Sequence, residues 1–467
     1  MVSLNYFDLI SMKKITCTIS FLLFVFSLTL NAQSKKWSLE DCVTYALENN
    51  ISIQQTELDS QTAIIDKKQA FGSFLPSFNA AASHSWNIGL NQDITTGILQ
   101  NKTTQFTSVS GSVGIDIYKG LQNQNTLRRA NLSIIAAQYQ LLKMKEDISL
   151  NVANAYLQVL FNIENLKVQK EQLSIDEKQL VRTQELVNAG TIPRGDLLDV
   201  KATIATDNQK LVNAQNLLLI SKLSLTQLLQ LKDFVDFEVV EENTLSTDTS
   251  ILMNTPASIL DVAREQRTEL KIAQTNLAIA EKNVVIAKGG FQPTLKGFYN
   301  YNTRISYADI ALRDSSGAII GVQGAPPFFD QFNDNKGQSF GAQLNVPIFN
   351  GFSVRTNVER SKVSLEKSKR TLEQQNLDLE RNVYTAFTDA KGALQAYESA
   401  TEVLQARQES FRYAKEKFEV GLMNSFELSQ SQTLLTTAQS EVLRTKYDYI
   451  FKIKILEFYF GIPIVKK

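Results

Sequence analysis

The sequence has few of the residues that build disulfides, metal centres and catalytic sites. Among 467 residues it has two cysteines, Cys17 and Cys42, and one histidine, His84. Cys17 falls in an N-terminal segment that is predicted below to be removed, which leaves one thiol in the mature chain. One thiol and one histidine exclude an intrachain disulfide, a Cys/His metal site and a His-based triad. A nucleophile elbow, a phosphate loop and a metal motif are also missing, so we expect no enzyme and no cofactor.

An excess of charge of one sign is also lacking. The chain carries 48 lysines and arginines against 48 aspartates and glutamates. Proteins that bind nucleic acid usually show a basic surplus. The balance therefore indicates no nucleic-acid partner, and it does not suggest an anionic-lipid binder.

Long apolar runs are confined to the N-terminus. Lys13 and Lys14 precede an apolar run from Ile15 to Leu30, and Ala32 offers a small residue for cleavage. This pattern predicts a signal peptide over residues 1–32, with residues 1–11 as an over-extended start before Met12. The alternative is a membrane anchor, but the run is shorter than the ~20 residues of a spanning helix. An exported chain without spanning helices is periplasmic, secreted or a β-barrel, and only the barrel crosses lipid.

The rest of the chain repeats itself once. Gly120 and Gly351 are 231 positions apart, as are Gly190 and Gly421, and each pair lies in similar surroundings. Phe74-Leu75-Pro76 and Phe291-Gln292-Pro293 are 217 apart. Each half reads helix, strand, strand, long helix, turn, helix. The predicted boundaries are repeat 1 over 33–231 (helix 39–72, hairpin 74–119, helices 121–189 and 193–230), a linker over 232–257, and repeat 2 over 258–467 (a helix, hairpin 291–350, helices 352–420 and 425–460).

Four segments alternate apolar and polar residues with the period of a β-strand. A half-buried soluble sheet and a barrel wall with lipid outside and water inside both produce this pattern. The apolar positions are Phe78, Ala80, Ala82, His84, Trp86, Ile88 and Leu90 in the first strand, Val109, Val113, Ile115 and Ile117 in the second, Leu295, Tyr299, Tyr301, Ile305 and Tyr307 in the third, and Phe340, Ala342, Leu344, Val346 and Ile348 in the fourth.

Three features favour the barrel over the soluble sheet. The segments exceed the ~9–11 residues of a tilted membrane strand. Aromatic residues crowd the apolar face, as membrane girdles do, and helices rather than further strands separate the two hairpins. Four strands cannot close a barrel, for which ~8 are needed. The strands of a wall in lipid must therefore come from several chains, and three copies would supply twelve.

The two long helices are too long for an ordinary globular domain. Residues 121–189 contain no proline or glycine, and the equivalent run after Gly351 contains only Gly392. About 70 residues make a helix of roughly 100 Å. Heptad spacing predicts coiled-coil packing; a simple rod is the alternative, but it does not explain the signal peptide or the hairpins. The predicted packed positions are Val152, Tyr156, Val159, Ile163, Leu166, Leu173, Leu180 and Val187, and Val383, Phe387, Ala390, Leu394, Tyr397, Leu404, Phe411 and Phe418.

The ordered set of these motifs resembles the TolC family of outer-membrane factors. The marks are the strand end from Asn345 to Gly351, its partner ending at Gly120, and the turn-to-helix runs 190–199 and 421–430. The resemblance implies an α+β membrane protein with an internal two-fold repeat. In that fold a twelve-strand transmembrane β-barrel in the outer membrane continues into a long α-helical coiled-coil barrel in the periplasm. It also implies a homotrimer that works with a periplasmic adaptor and an inner-membrane pump.

Two sets of residues at the helix turns are candidate functional sites. As a hypothesis, Asp196, Asp199 and Glu427 line a periplasmic gate, and Gln430 stands where gates of this family carry a second acid. The alternative is that acids in a first helical turn only stabilise the helix dipole, by ~0.3–1 kcal/mol each. The predicted adaptor-docking tips are Gly190, Thr191, Ile192, Pro193, Gly421, Leu422, Met423 and Asn424, although both glycines also have a purely structural interpretation as helix ends.

Other points stay open at this level. A periplasmic coiled-coil structural or adaptor protein is the alternative function. The cargo of an exit duct is selected by its pump, so the sequence does not distinguish drug, metal and protein export. The connection over 308–338 is either a partial cover of the channel mouth or a surface epitope.

Overall fold

A computed structural model describes residues 36–92, 97–232, 234, 236–241 and 250–463. The predicted signal peptide and the central part of the predicted linker, 242–249, lie outside these residues. The described chain divides into two units. Unit 1 takes in the stretch up to Ile53, Lys145–Ala263 and the stretch from Asn382, and unit 2 takes in Gln54–Met144 and Arg264–Arg381. In the part of the chain that the structure covers, no helix is both long and apolar enough to span a lipid bilayer.

The strands range from two to 21 residues, and the helices also differ widely in length. Two helices reach 67 residues each. The strands are β1 (Lys36–Trp37), β2 (Ser77–Gln92), β3 (Leu99–Lys119), β4 (Glu238–Val239), β5 (Thr294–Ser306), β6 (Ile310–Arg313), β7 (Ile319–Gln323) and β8 (Gly337–Asn345). The helices are α1 (Leu39–Asn49), α2 (Ile51–Gly72), α3 (Gln122–Asn188), α4 (Arg194–Leu229), α5 (Pro256–Gln266), α6 (Thr268–Gly289), α7 (Phe328–Asp334), α8 (Ser353–Glu419) and α9 (Ser425–Tyr459), with a 3₁₀ turn over Ser250–Met253.

The prediction of one continuous helix over 39–72 is wrong. The chain leaves the helical conformation at Asn50, which adopts φ −67° and ψ 126° between α1 and α2. The Asn50 side chain donates to the Leu228 carbonyl at 2.9 Å and accepts from the Ser52 amide at 2.9 Å. Asparagine competes in this way with helical backbone bonds. Arg267, 217 positions later, makes the same break between α5 and α6, with φ −64° and ψ 128°.

Unit 2 contains one antiparallel sheet of four strands in the order β2-β3-β5-β8. Ser77 lies opposite Gly114 in the first hairpin, and Thr294 lies opposite Asn345 in the second. Ser77 and Thr294 are 217 positions apart, and Gly114 and Asn345 are 231 positions apart. These are the two offsets of the sequence repeat. A register shift between Asp116 and Tyr118 bends β3 near its end.

The connection between β5 and β8 has secondary structure of its own. Strands β6 and β7 form a separate two-stranded hairpin, and α7 follows it. The buried Gln331 side chain ties α7 to the end of β5: its amide donates to the Ser306 carbonyl at 2.9 Å, and its oxygen accepts from the Ser306 amide at 2.9 Å.

The core of unit 1 surrounds a two-stranded parallel sheet of β1 and β4. Tyr156 of α3 is fully buried there, and its hydroxyl donates to the Val240 carbonyl at 2.7 Å. Apolar side chains from several helices complete this core: Val152, Val159, Leu225, Leu229, Ile259 and Leu456.

The predicted heptad stripe of α3 is only partly correct. Val152, Tyr156 and Val159 are fully buried, but the five apolar positions from Ile163 to Val187 are half-buried. The buried positions in this section are polar instead, because α3 meets α4 and α9 through hydrogen bonds. The Asn162 amide donates to the Leu217 carbonyl at 3.2 Å, and the Thr436 hydroxyl donates to Gln172. In α8 the buried apolar residues are mostly alanine, and the large predicted residues flank them. The buried residues are Val358, Leu379, Val383, Ala386, Ala390, Ala393, Ala400 and Ala414.

Candidate functional site

The four-stranded sheet has one apolar and one polar face, and residues opposite one another across the strands share a face. One row runs Phe78, Val113, Tyr299, Phe340 across all four strands. The adjacent row runs Asn79, Ser112, Asn300, Ser339 and points to the other side. The aromatic ends of the first row are 73% exposed at Phe78 and 83% at Phe340. No described part of the chain therefore covers the apolar face at these two positions. Toward the other end of β5 the same face is covered: Thr303 and Ile305 are 3% and 0% exposed, and the Thr303 hydroxyl donates to the Phe332 carbonyl of α7 at 3.0 Å.

The two outer strands of this sheet, β2 and β8, have open edges. Within the described residues each of them pairs with one neighbour only. An open edge presents a row of backbone donors and acceptors that must find water or another strand. In an apolar surrounding only another strand can satisfy them.

The tip between α3 and α4 is a left-handed helix end. Gly190 has φ +70°, its amide donates to the Val187 carbonyl at 3.0 Å, and the Thr191 amide donates to the Leu186 carbonyl at 3.0 Å. Glycine takes this conformation without the steric cost that a Cβ brings. Pro193 then precedes α4, where its fixed φ suits the start of a helix.

The tip between α8 and α9 has the same geometry. Gly421 has φ +76°, and the Leu422 amide donates to the Lys417 carbonyl at 2.8 Å. Asn424 caps α9 by accepting from the Glu427 amide at 2.9 Å. Leu422 is 78% exposed, whereas Ile192 and Met423 are half-buried. The eight predicted tip residues thus form two surface turns with one exposed large apolar side chain.

One arginine that sequence reasoning missed links the two helix ends that lead into these turns. Arg182 of α3 lies 3.9 Å from the Glu419 carboxylate of α8, and its Cζ lies 5.6 Å from the centre of the Phe418 ring. Thr203 of α4 and Ser429 of α9 join the outgoing helices through hydroxyls 3.3 Å apart. A single arginine or threonine on a polar helix face carries no sequence signal of such a role.

The structure separates the four predicted gate residues into two pairs. Asp199 and Gln430 line one groove between α4 and α9, with a volume of about 450 Å³. Asp196 and Glu427 lie outside this groove, in the first turns of α4 and α9. Asp199, Glu427 and Gln430 are exposed, and Asp196 is half-buried.

Farther along α4, a buried carboxyl pair was not predicted from the sequence. Asp176 of α3 and Asp207 of α4 are 4% and 3% exposed. Asp207 Oδ1 accepts from Lys210 Nζ at 2.8 Å, and Asp176 Oδ2 accepts from Gln172 Nε2 at 2.9 Å. Asp207 Oδ2 has no partner unless Asp176 carries a proton and donates it.

The surroundings shift the pKa values of the two carboxyl groups in opposite directions. Burial, followed by the hydrogen bond to Asp207, raises the pKa of Asp176 to about 7. Burial also opposes ionisation of Asp207, but the hydrogen bonds from Asp176 and Lys210 outweigh it and lower the pKa of Asp207. The pair therefore retains one proton at a higher pH than an isolated carboxyl group does, and that proton joins α3 to α4.

No group of three or more His, Cys, Asp or Glu side chains within the described ranges is arranged to hold a metal ion. Cys42 is a buried thiol of α1.

Comparison with known proteins gives consistent matches along the whole fold. A family model described as outer membrane efflux protein matches residues 43–230 and 259–454. Outer membrane protein TolC of Escherichia coli K12 is 21% identical over 406 residues, covering 86% of this chain and 78% of that protein. The cation efflux system protein CusC of Escherichia coli O157:H7 is 22% identical over 418 residues, covering 87% and 82%.

Solved structures share the fold at lower identity. The outer membrane protein VceC of Vibrio cholerae superposes with a TM-score of 0.74 at 14% identity, covering 91% of this chain and 96% of that one. The outer membrane channel CmeC of Campylobacter jejuni gives a TM-score of 0.72 at 18% identity, covering 91% and 85%.

Proposed function

This chain belongs to the outer membrane efflux protein family, and from that membership we propose that three copies form one continuous duct for export across the outer membrane. The chain is an outer-membrane efflux channel protein. The proposal concerns how the channel is built and what it works with: a homotrimer, a closed twelve-strand barrel in lipid, and a helical barrel in the periplasm.

The two-faced sheet with two open edges is the observation that carries this proposal. One face exposes aromatic and aliphatic side chains, and the other presents serine and asparagine. Lipid suits the first face and water the second. The open edges of β2 and β8 cannot remain unpaired in lipid, so the strands of neighbouring copies must complete the wall.

The repeat offsets give the register of that contact between copies. Within the chain, Val113 of β3 lies opposite Tyr299 of β5. Adding 231 to the first number gives Leu344 of β8, and subtracting 217 from the second gives Ala82 of β2. We therefore expect Leu344 of one copy to lie opposite Ala82 of the next copy.

Reconstitution of the purified mature chain in planar bilayers tests the duct. We expect stepwise conductance from a detergent-solubilised particle with three times the chain mass by native mass spectrometry. A particle with the mass of a single chain that produces no conductance in the bilayer would contradict the proposal. It would favour the periplasmic coiled-coil alternative instead.

The gate proposal concerns the acids at the narrow end of such a duct. Asp199 shares its groove with Gln430, and Asp196 and Glu427 lie in the adjacent first turns. Three copies would bring nine carboxylates near one ring, which favours cations. Bilayer recordings compare the wild type with the Asp196→Ala, Asp199→Ala, Glu427→Gln triple variant. We expect the variant to lose block by divalent cations, and unchanged block would reject the gate.

The docking proposal concerns the two surface turns. A periplasmic adaptor that serves an inner-membrane pump would contact the exposed turns at Gly190 and Gly421. We expect Gly190→Glu with Gly421→Glu to abolish efflux while trimers still assemble in the outer membrane. Gly190→Ala with Gly421→Ala is the matched control, because it places a Cβ on the same two positive-φ residues without adding charge. Normal efflux by the double variant would reject docking at the turns.

A further inference from the structure

The charged residues of the four-stranded sheet are unevenly distributed in sign. Strands β2 and β8 contain none. Strands β3 and β5 contain Lys102, Asp116, Lys119, Lys296 and Arg304, four cations against one carboxylate. The whole chain, by contrast, has a formal net charge of zero. The sheet is therefore a local concentration of positive charge.

All five of these residues belong to the polar face. Asp116 lies opposite Lys296, and Arg304 lies opposite Ser108. Both pairs are an even number of positions from the Ser112–Asn300 pair on the same strands, so they lie on the same face. Lys102 lies opposite Gly89, also on that side. Beyond the register shift, Lys119 lies opposite Thr294, which shares the face of Lys296. No charged residue of these strands faces the apolar side.

The single carboxylate is shared by two lysines. Asp116 Oδ2 lies 3.1 Å from Lys119 Nζ, and Asp116 Oδ1 lies 3.8 Å from Lys296 Nζ. Arg304 is held differently: its Cζ lies 3.7 Å from the centre of the Phe106 ring, a cation–π contact that keeps the guanidinium on the polar face. Counted over the strands alone, four cations and one carboxylate give a net charge of +3 per chain.

The lysine pair also lines a cavity on this face. It has a volume of about 610 Å³, and its walls include Asp116, Lys119, Lys296, Asn300 and Gln343. Pockets of ~300–1,000 Å³ accommodate small organic molecules. Ammonium and amide groups are the donors that an anionic solute needs there.

The connection that follows β5 carries an excess of the opposite sign. The connection between β5 and β8 carries Asp309, Asp314, Asp330 and Asp334 against Arg313 and Lys336. The proposed gate residues at the helix turns are acidic as well. A cation passing along the duct would therefore meet unfavourable charge at the strand section, and an anion would meet favourable charge there.

We infer that the polar face of the sheet selects for anionic solutes, through Lys119, Lys296 and Arg304. Rings of lysine and arginine attract anions in pores, and a water-filled channel with low-dielectric walls strengthens their field. This inference rests on the proposed function, because it takes the polar face as the lining of the duct. It names the class of solute, small organic or inorganic anions, that this section favours.

Reversal potentials in a potassium chloride gradient test the inference on reconstituted channels. We expect Lys296→Gln with Arg304→Gln to lower the chloride-to-potassium permeability ratio by about twofold or more. Asp116→Asn should raise the ratio, because it removes the carboxylate that two lysines share. Lys36→Gln with Lys232→Gln is the control of equal charge change, since both lysines are exposed and lie outside the four-stranded sheet. This control should leave the permeability ratio unchanged.

The outcomes separate this inference from the proposed function. Conducting channels whose permeability ratio is the same in wild type, Asp116→Asn and the Lys296→Gln, Arg304→Gln variant would overturn the inference and leave the duct intact. A wild-type chain that forms no conducting channel would overturn the duct, and the inference with it. If the double variant does not assemble, the opposite shift expected for Asp116→Asn decides the matter alone.

Discussion

An arginine placed on the apolar face of β3 should prevent assembly, whereas the same residue one position earlier should not. Val113 lies in the row between Phe78 and Tyr299, and Ser112 lies in the row between Asn79 and Asn300. An arginine facing lipid near the bilayer midplane costs ~2–4 kcal/mol. Three copies in one trimer would raise that cost to about 6–12 kcal/mol at the midplane, and to less nearer either interface.

Such a cost is comparable with the whole stability of an ordinary domain, ~5–15 kcal/mol. Arginine at 112 would face water and add no lipid cost. The assay is the fraction of protein found as oligomer on unheated gels of outer-membrane extracts. We expect Val113→Arg to lose most of the oligomer and Ser112→Arg to retain it. Equal yields of oligomer from the two variants would refute the assignment of the faces.

Three further predictions concern stability, measured by thermal unfolding of the purified protein. Gly289→Ala should destabilise the protein strongly, because a Cβ there would lie 2.5 Å from the Gly120 carbonyl oxygen. Gly392→Ala should not, because no atom lies within 4 Å of the Cβ position at Gly392. Leu225→Ala should cost about 2–5 kcal/mol, because Leu225 is fully buried in unit 1; a loss below about 1 kcal/mol would contradict that packing. Folding raises the pKa of Asp176 from 3.8 to about 7. The folded state therefore binds the extra proton more tightly, and the free energy of unfolding should fall as pH rises from about 4 through about 7. The loss should be up to about 4 kcal/mol, less the opposing effect of the lowered pKa of Asp207. Asp176→Asn should flatten this dependence, and an unchanged pH profile would show that the pair does not share a proton.

The strand faces could be predicted from the sequence because a strand places alternate residues on opposite sides. The rows through Phe78 and Asn79 follow directly from that alternation. The register within the two hairpins also matches the repeat offsets, since Ser77 lies opposite Gly114 and Thr294 lies opposite Asn345. The β6–β7 hairpin was not predicted because its strands, of four and five residues, are too short for a periodic signal.

The helix breaks and the buried polar positions were harder to predict. Asn50 interrupts a helix without a glycine or proline, and its cause is a long-range bond to the Leu228 carbonyl. A buried Asp176 looks, in sequence, like one more residue of a solvated helix face. Its partner Asp207 comes from another helix, and only the packing of α3 against α4 brings the two together.

Positions that repeat in sequence also differ in surroundings. Gly120 and Gly351 both have positive φ and are 231 positions apart. A Cβ on Gly120 would meet the Gly289 carbonyl oxygen at 2.2 Å, whereas nothing lies within 4 Å of the Cβ position at Gly351. Sequence similarity alone therefore predicted two equivalent strand ends, of which only one is packed within the chain.

Disulfide cross-linking between the edge strands tests most directly whether neighbouring copies close the wall. The chain to use carries Leu344→Cys and Ala82→Cys; opposite residues on paired strands have Cβ atoms ~4.5–5.5 Å apart, within reach of a disulfide after small adjustments. The control carries Leu344→Cys with Ala81→Cys, which points to the other face. We expect oxidation to link the first pair into covalent trimers and no larger species, and to leave the control unlinked. Cross-links that form equally in both variants, or a ladder that continues beyond three chains, would contradict a closed wall of three copies.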